Sequence, residues 1–366
     1  MGIGDNHTVW MRRALALAAR GEGQTRPNPP VGAVLVRNGT VIGEGYHRKA
    51  GGPHAEVVAL RGLTPRQTRG TTLYVTLEPC STHGRTPPCV DAILAAGISE
   101  VVVSVKDPNR LHAGRGLRLL RRRGVKVTVG ICREEGAALL APFAKWIASG
   151  MPYLTLKMAM TLDGRIADAS GKSRWITGAA ARREVQQLRR HVDAVLVGAG
   201  TAGADDPSLL VLGSKRRQPL RVVLDGAGRI PLTAKVLSDG YPTIVVVSAS
   251  CAEKRQAALA QGAVRVWCCG AGARVDMELL LRRLGQEGIL HVLCEGGGEL
   301  AGALLRAQLV DVCRFYIAGR LLGGNAVPVT GMDGWLLGAA PHLRLRQVRQ
   351  VGEDVCVLAE PAKTEA

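Results

Sequence analysis

The chain has 366 residues, too long for one typical domain and sufficient for two. A hydrophobic content of 46% with 21% charged residues excludes disorder as the default state. The net charge of +18 favours anionic partners such as nucleic acid, nucleotides or phosphorylated metabolites, while aromatics at only 3% argue against base-stacking platforms.

The opening stretch MGIGDNHTVWMRRALALAARG lacks the basic, apolar and small-residue order of a signal peptide. Asn6 stands where a myristoylation motif needs Ser or Thr. No apolar run is long enough for a bilayer, so a cytoplasmic protein without a membrane partner is expected. Apolar spacing predicts a helix from Trp10 to Arg20. VGAVLV (Val31 to Val36) and TVIGEGY are predicted to pair as strands around Asn38-Gly39. A helix from about His54 follows, then the strand TLYVTL (Thr72 to Leu77), a helix from Cys89 to Ala96 ended by Gly97, and the strand EVVVSV. A helix near Gly116 to Arg123, with Arg121 to Arg123 on a solvated face, leads into the strand VKVTV. ASGMP, at Ala148 to Pro152, breaks this pattern and places a boundary between domains at 1–147 and 151–362. Beyond it come a strand at Tyr153, a helix from about Ala179 to Arg190, and strands at AVLVGA, RVVLD, TIVVVS, VRVW and HVLCEG. Helices fall between the later strands, the last running ELAGALLRAQL. With no repeat at solenoid periods, the expectation is two α/β domains in tandem.

An odd set of nine cysteines in such a chain argues against a disulfide framework. Cys132, Cys251, Cys268, Cys269, Cys294, Cys313 and Cys356 read as small buried hydrophobes. Cys80 and Cys89 differ. In TLEPCSTHGRTPPCV, Cys80 follows a strand and Pro79, and Cys89 opens a helix after Pro87-Pro88, where backbone N–H groups favour thiolate. Upstream, PHAEVVAL supplies His54 and Glu56. H-x-E alone is common. Joined to E-P-C after a strand and P-C at the next helix, it becomes a catalytic zinc set: one imidazole, two thiolates and a fourth position for water. Glu56 is then a general acid/base and not a ligand. Zinc nucleobase deaminases combine H-x-E with P-C-x-x-C, but here the second cysteine falls nine residues on instead of three. Later, EGGGEL (Glu295 to Leu300) follows the strand HVLC and opens a helix, offering N–H groups to an anion. It is not the G-x-G-x-x-G fingerprint of a Rossmann domain.

The stretches RPNPPVGAVLV, GEGYH, PHAEVVAL, YVTLEPC, GRTPPCVDAI, DPN and GRG, then LDGRIA, SRWITG, ADDPSL, EGGGELAGALL and LLGG, resemble the bifunctional deaminase-reductases of riboflavin biosynthesis over nearly the whole chain. The long cysteine spacing is itself a mark of that family. The resemblance implies an α/β protein with an N-terminal cytidine-deaminase-like three-layer domain and a dihydrofolate-reductase-like α/β domain after it. The first would bind one Zn²⁺ per chain through His54, Cys80 and Cys89. With Glu56 as catalytic residue, it would hydrolytically deaminate 2,5-diamino-6-(5-phosphoribosylamino)pyrimidin-4-one. The second would reduce the ribosyl group to ribityl with NADPH. In the first domain the resemblance puts Asn28 on the pyrimidine edge, His47 and Arg85 at the phosphate, and Asp107 and Asn109 on the substrate. In the second it puts Ala159, Trp175, Thr201 and Asp205 beside the dinucleotide, together with Gly296, Gly297 and Gly298. Ser173, Arg189, Leu209 and Glu295 lie near the substrate, and Lys157 and Asp163 beside the reacting sugar. The expected partners are this phosphorylated small molecule and further copies of the chain, in a homodimer or higher homo-oligomer, without nucleic acid.

Taken singly, Asn28, Asp107 and Asn109 also read as turn formers, Trp175 as plain core and Arg189 as a charge on a solvated helix face. Three departures from the family pattern stand out. Thr82, followed by His83, occupies the place of a histidine two residues after the first cysteine. Leu212 replaces an arginine on the substrate phosphate, with Lys215, Arg216 and Arg217 in the adjoining loop as substitutes. Gly226 follows Asp225 where the family has Ser or Thr. These leave a competing reading, a deaminase whose reductase domain is degenerate or respecialised for a secondary-metabolite pathway. A tRNA-acting deaminase is the third reading, drawn from the charge.

Overall fold

In the computed structural model, residues 3–83, 87–214, 217–331 and 333–362 are described. The chain divides into two compact units, Met1–Gly150 and Met151–Ala366. The first contains α1 (Ile3–Ala19), β1 (Gly32–Arg37), β2 (Thr40–Tyr46), α2 (Ala55–Leu60), α3 (Pro65–Thr68), β3 (Thr72–Leu77), α4 (Cys89–Ala95), β4 (Glu100–Val105), α5 (Arg115–Arg122), β5 (Lys126–Val129) and α6 (Arg133–Ser149). Its sheet has the order β2-β1-β3-β4-β5. β1 is antiparallel to β2 and β3, and β3, β4 and β5 run parallel. The turn between β1 and β2 is made by Asn38 and Gly39 at φ 49° and 74°, the left-handed pair that a tight hairpin requires.

Alternation along the strands sorts this sheet into two apolar faces. Val34, Val36, Tyr74 and Val102 meet Met11, Ala14 and Leu15 of α1, with Leu139 of α6 packed against them. Leu35, Leu73, Val75, Val101 and Val103 meet α2, α4 and α5 through Ala55, Ala59, Val90, Ile93, Leu117 and Leu120. The result is three layers, helix on sheet on helix. α1 lies directly on β1 because Gly32 has no side chain: a Cβ there would sit 2.1 Å from the Ala14 carbonyl oxygen. The helix α6 is not among the sequence-predicted elements. Pro142 lies inside it and reads as a breaker, and its N-terminus is a left-handed Cys132 with no side-chain cap.

The second unit contains β6 (Tyr153–Thr161), β7 (Arg165–Ala167), α7 (Ala179–His191), β8 (Ala194–Gly198), α8 (Ala199–Asp205), β9 (Leu220–Leu224), α9 (Lys235–Ser238), β10 (Thr243–Val247), α10 (Glu253–Leu259), β11 (Val264–Cys268), α11 (Met277–Gln286), β12 (His291–Cys294), α12 (Gly298–Arg306), β13 (Val312–Ala318), β14 (Val327–Pro328), β15 (Leu343–Val351) and β16 (Asp354–Pro361). The large sheet has the order β11-β10-β9-β8-β12-β6-β13-β16-β15. It is parallel through β13 and closes with an antiparallel hairpin of β16 and β15. One face, with Leu154, Leu156, Leu196, Val222 and Val246, packs on Leu280, Leu281 and Leu284 of α11 and on Ala301, Leu304 and Leu305 of α12. The other, with Val195, Val197, Val223 and Val245, packs on Ala202 of α8, Val236 of α9 and Leu259 of α10.

β13, β15 and β16 lie outside the predicted strands. β13 is a short apolar run whose period does not distinguish strand from helix. β15 is an edge strand with Leu345 and Val348 exposed, so its residues carry no sign of a buried face. Cys268, expected to be buried, is exposed because it ends the edge strand β11 on its outward side; Cys132 is half-buried, and Cys251, Cys269, Cys294, Cys313 and Cys356 are buried. Among the described residues no helix is long and apolar enough to cross a membrane.

The α1–β1 contact leaves no room for a methyl group. Gly32→Ala should destabilise the first unit by about 1–3 kcal/mol, as overpacking does. Gly272→Ala, which meets nothing within 4 Å, should stay within about 0.5 kcal/mol of the parent. Urea unfolding of the two variants checks both.

Candidate functional site

Three chain elements bring one nitrogen and two sulfurs together in the first unit. His54 is the N-cap of α2, Cys80 lies in the loop after β3, and Cys89 is the first residue of α4. The His54 Nδ1 atom is 3.1 Å from the Cys89 Sγ and 3.5 Å from the Cys80 Sγ. The Cys89 backbone N–H donates to the Cys80 Sγ at 3.2 Å, which is the helix-terminus effect expected from Pro87-Pro88-Cys89. All three donor atoms lie within 4.8 Å of one another. Hydrogen bonds from Cys89 and His54 hold the Cys80 thiol well below the usual thiol range. Sharing that proton with Cys80, in a buried place, pushes the Cys89 thiol up. The hydrogen bond to Cys80 raises His54 against the effect of burial, and Glu56 nearby adds to the rise.

Glu56, two residues into the same helical turn, is 4% exposed. Burial raises its carboxyl above the ordinary range, with the sulfur of Cys80 adding to the rise.

Around this cluster, His47 is 2% exposed, with its ring edge-on to His54 at 5.5 Å between centroids. Asn28 Nδ2 donates to His47 Nε2 at 3.0 Å, and His47 Nδ1 donates to the Pro53 carbonyl at 3.1 Å. Burial lowers its pKa and favours the neutral ring. Both ring nitrogens are thus engaged, one by Asn28 and the other by the Pro53 carbonyl. Asp107 Oδ1 accepts from the Asn109 N–H at 2.8 Å, and Asn109 Oδ1 accepts from the Leu111 N–H at 3.0 Å. Burial raises the Asp107 carboxyl. Arg85 lies outside the described residues.

Sequence reasoning passed over Glu78, although it stands in the quoted YVTLEPC. It is 6% exposed and accepts backbone N–H bonds from Asp107 (3.3 Å), Gly114 (2.8 Å) and Gly116 (3.0 Å). A carboxylate between a strand end and a Pro-Cys pair carries no motif of its own, so only the fold exposes this task.

In the second unit, Arg189 of α7 is not on a solvated face. Its Nε and Nη2 donate to Glu295 Oε1 and Oε2 at 2.6 and 3.0 Å, and its Nη1 donates to the Leu210 carbonyl at 3.1 Å. The two side chains are 13% and 9% exposed. Burial works against the Glu295 charge, but Arg189 outweighs it and leaves the carboxyl lowered. Burial also lowers the Lys157 amine, opposed by the charges of Glu295 and Asp205. The structure thus joins Lys157, Arg189, Glu295 and Asp205 in one electrostatic group. Ser173 Oγ donates to Asp205 Oδ1 at 2.7 Å, and Arg174 pairs with the same carboxylate.

Trp175 is 61% exposed and so is not plain core; the Arg182 guanidinium lies over its ring at 4.5 Å. Ala159 pairs with Tyr316 across β6 and β13, and Leu209 is buried with φ 57°. Gly297 caps α12 beside the Thr201 hydroxyl, which a Cβ on Gly297 would approach to 3.1 Å. Gly296 and Gly298 have packing reasons: added Cβ atoms would meet Leu300 Cδ2 at 2.7 Å and the Pro328 carbonyl oxygen at 2.4 Å. Asp163 is tied into a turn, accepting from Thr161 Oγ1 at 2.5 Å and from the Leu322 and Gly323 N–H groups. Its carboxylate is lowered chiefly by Thr161. Leu212 is 68% exposed, Asp225 accepts from the Ile230 N–H at 2.6 Å, and Lys215 and Arg216 lie outside the described residues.

Comparison with known proteins agrees with this division. Residues 5–105 match the cytidine and deoxycytidylate deaminase zinc-binding region, and residues 152–357 match the RibD C-terminal domain. The riboflavin biosynthesis protein RibD of Escherichia coli is 42% identical over 364 residues, spanning 95% of this chain and 97% of that protein. The RibD of Bacillus amyloliquefaciens is 40% identical over 356 residues, spanning 96% and 95%. The solved structure of Acinetobacter baumannii RibD superposes with a TM-score of 0.87 at 40% identity, covering 98% of this chain and all of that one. A diaminohydroxyphosphoribosylaminopyrimidine deaminase/5-amino-6-(5-phosphoribosylamino)uracil reductase from Thermotoga maritima superposes with a TM-score of 0.88 at 34% identity, covering 99% and 100%. With a deaminase zinc-binding region in its first unit and a RibD reductase domain in its second, this chain belongs to the RibD family.

Proposed function

We propose that the chain catalyses two consecutive steps of riboflavin biosynthesis. The first unit removes an amino group hydrolytically from 2,5-diamino-6-(5-phosphoribosylamino)pyrimidin-4-one. The second reduces the ribosyl group of the product to ribityl with NADPH. The observation carrying this reading is the cluster of His54, Cys80 and Cys89 with buried Glu56 beside it, in a chain 42% identical to RibD along almost its whole length.

The donor set fits zinc: one imidazole and two sulfurs within a 4.8 Å span, one of the thiols already depressed. When bound, one zinc ion held by these three residues supplies the Lewis acidity that makes water a nucleophile at neutral pH. Glu56 takes one proton of the attacking water and passes it to the ring nitrogen as oxygen bonds to the ring carbon and the C=N π bond opens. It then takes the remaining hydroxyl proton and delivers it to the amine, which leaves as ammonia while the ring carbonyl forms. Asn28, held by His47, meets the pyrimidine edge, and Asp107 and Asn109 complete the substrate contacts, with Arg85 assigned to the phosphate.

In the second unit, Ala159, Trp175, Thr201, Asp205 and the Gly296–Gly298 run would hold NADPH, which supplies the hydride when bound. The α12 N-terminus suits an anionic group there. Lys157, its amine pKa lowered by burial, is assigned to give a proton to the sugar oxygen as the ring opens. Arg189 and Glu295 hold each other and set the field around that amine. Ser173 and Leu209 border the substrate. We place the enzyme in the cytoplasm and expect it to self-associate, a reading to which the exposed edge strand β15 lends support. The alternative of a deaminase with an inert second unit is disfavoured by the match of residues 152–357 to the reductase domain and by the Lys157–Arg189–Glu295 group.

Mass spectrometry of products from the phosphorylated diaminopyrimidine decides between these. Without NADPH only the deaminated product should appear, and with NADPH the ribityl product should follow. A halt at the first product in both arms would leave the second unit without its assigned activity. Glu56→Gln should keep its zinc and lose deamination by about 10²–10⁴-fold, because ligation survives and proton transfer fails. Cys89→Ser should lose the metal, and elemental analysis showing undiminished zinc would remove that ligand. Lys157→Met should depress NADPH oxidation by about a hundredfold while deamination by the same protein is unchanged, measured by the two steady-state rates.

A further inference from the structure

Glu78 occupies the residue before Pro79-Cys80, at the end of β3, and the preceding mechanism gives it no task. Its two carboxylate oxygens accept three backbone N–H groups from one short segment, the loop after β4 and the first turn of α5. Oε2 takes those of Asp107 and Gly114, and Oε1 takes that of Gly116. That loop carries Asp107 and Asn109. A second contact locks the same place: a Cβ on Gly116 would lie 2.1 Å from the Pro79 carbonyl oxygen, so the first turn of α5 rests directly on the backbone leading to Cys80. One short segment, Glu78-Pro79-Cys80, therefore holds the substrate loop with its carboxylate and a candidate metal ligand two residues later.

We infer that Glu78 is a positioning residue for the deamination, fixing the 107–116 loop relative to the Cys80 sulfur. This rests on the proposed roles of Asp107 and Asn109. The side chain must accept at both oxygens. Glutamine offers one oxygen and an NH₂ group that turns its hydrogens toward the N–H groups on the other side, so at least one loop amide loses its partner. The ligands His54, Cys80 and Cys89 are left intact by such a change.

The test compares the full-length, zinc-loaded parent with E78Q. Amide hydrogen exchange over residues 107–116 should be about tenfold faster in E78Q, with zinc content unchanged. In the parent, the Gly114 and Gly116 amides should exchange about tenfold more slowly than that of Arg110, whose N–H has no hydrogen-bond acceptor among the described residues, unlike its neighbours His112, Ala113 and Arg115. Deamination should lose about tenfold in kcat/KM through KM, with kcat nearly constant, as loss of uniform substrate binding requires. E78Q combined with Asn109→Ala should cost little more than the larger single change, since both act through one loop. Unchanged exchange in E78Q overturns the inference, as do loss of zinc in step with activity or losses that multiply in the double variant. Should E78Q fail to fold, unprotected Gly114 and Gly116 amides in the parent overturn it by themselves. If the parent exchanges as expected but does not deaminate the diaminopyrimidine, the functional reading fails while the loop tie stands.

Discussion

The first unit depends on holding two sulfurs and an imidazole nitrogen within 4.8 Å of one another, where they hydrogen-bond among themselves. The surrounding fold supplies the restraint. α2 begins at His54, α4 begins at Cys89, and β3 ends just before Cys80, so the donors sit at ends of elements whose bodies are locked in the same apolar layer. Ala55, Ala59, Val90 and Ile93 pack with Leu73 and Val75, and that packing converts a local sequence pattern into a fixed geometry.

The second unit follows another logic. Its electrostatic group is buried from the outset, with Arg189 and Glu295 in a two-bond pair beside Lys157. Burying such charges costs several kcal/mol per ion, and a well-packed apolar substitute is often no less stable. The arrangement is therefore poor as a stability device and suited to holding a lysine amine whose pKa burial has lowered. Structural ion pairs in the same unit look different. Arg221, 0% exposed, meets the Asp239 carboxylate with two hydrogen bonds and the carbonyls of Ser208 and Tyr241, so its charge is spent on a single carboxylate and two backbone groups.

Much of this was legible in the chain itself. Short periodic elements, the Asn38-Gly39 hairpin and the three-residue donor set with Glu56 could all be read because their signals are local. A turn needs positive φ at both positions, and a metal needs particular side chains after particular breaks. What could not be read was set by long-range contact. α6 forms across Pro142 because its partners on the sheet hold it. That His47 meets Asn28, and that Arg189 faces Glu295 and not water, depends on elements 19 and 106 residues away in sequence. Glu78 belongs to the same class, since its three partners lie 29 to 38 residues downstream.

The departures at Leu212 and Gly226 bear on the second activity through where they sit. Leu212 is exposed, and its backbone N–H is held by Gln186 Oε1 at 3.1 Å, so a leucine in place of the arginine implied by the family resemblance leaves the interior undisturbed. At Gly226 an added Cβ would come no closer than 3.3 Å to the Ala273 carbonyl, and the neighbouring Asp225 still closes its turn on Ile230. Neither substitution touches Lys157, Arg189 or Glu295. Loss of a cation from a phosphate contact would be a binding effect, whereas hydride transfer depends on groups in contact with the reacting sugar. The expected signature of such a change is a raised KM with the chemical step preserved, and a respecialised substrate lacking that phosphate would not register the change at all.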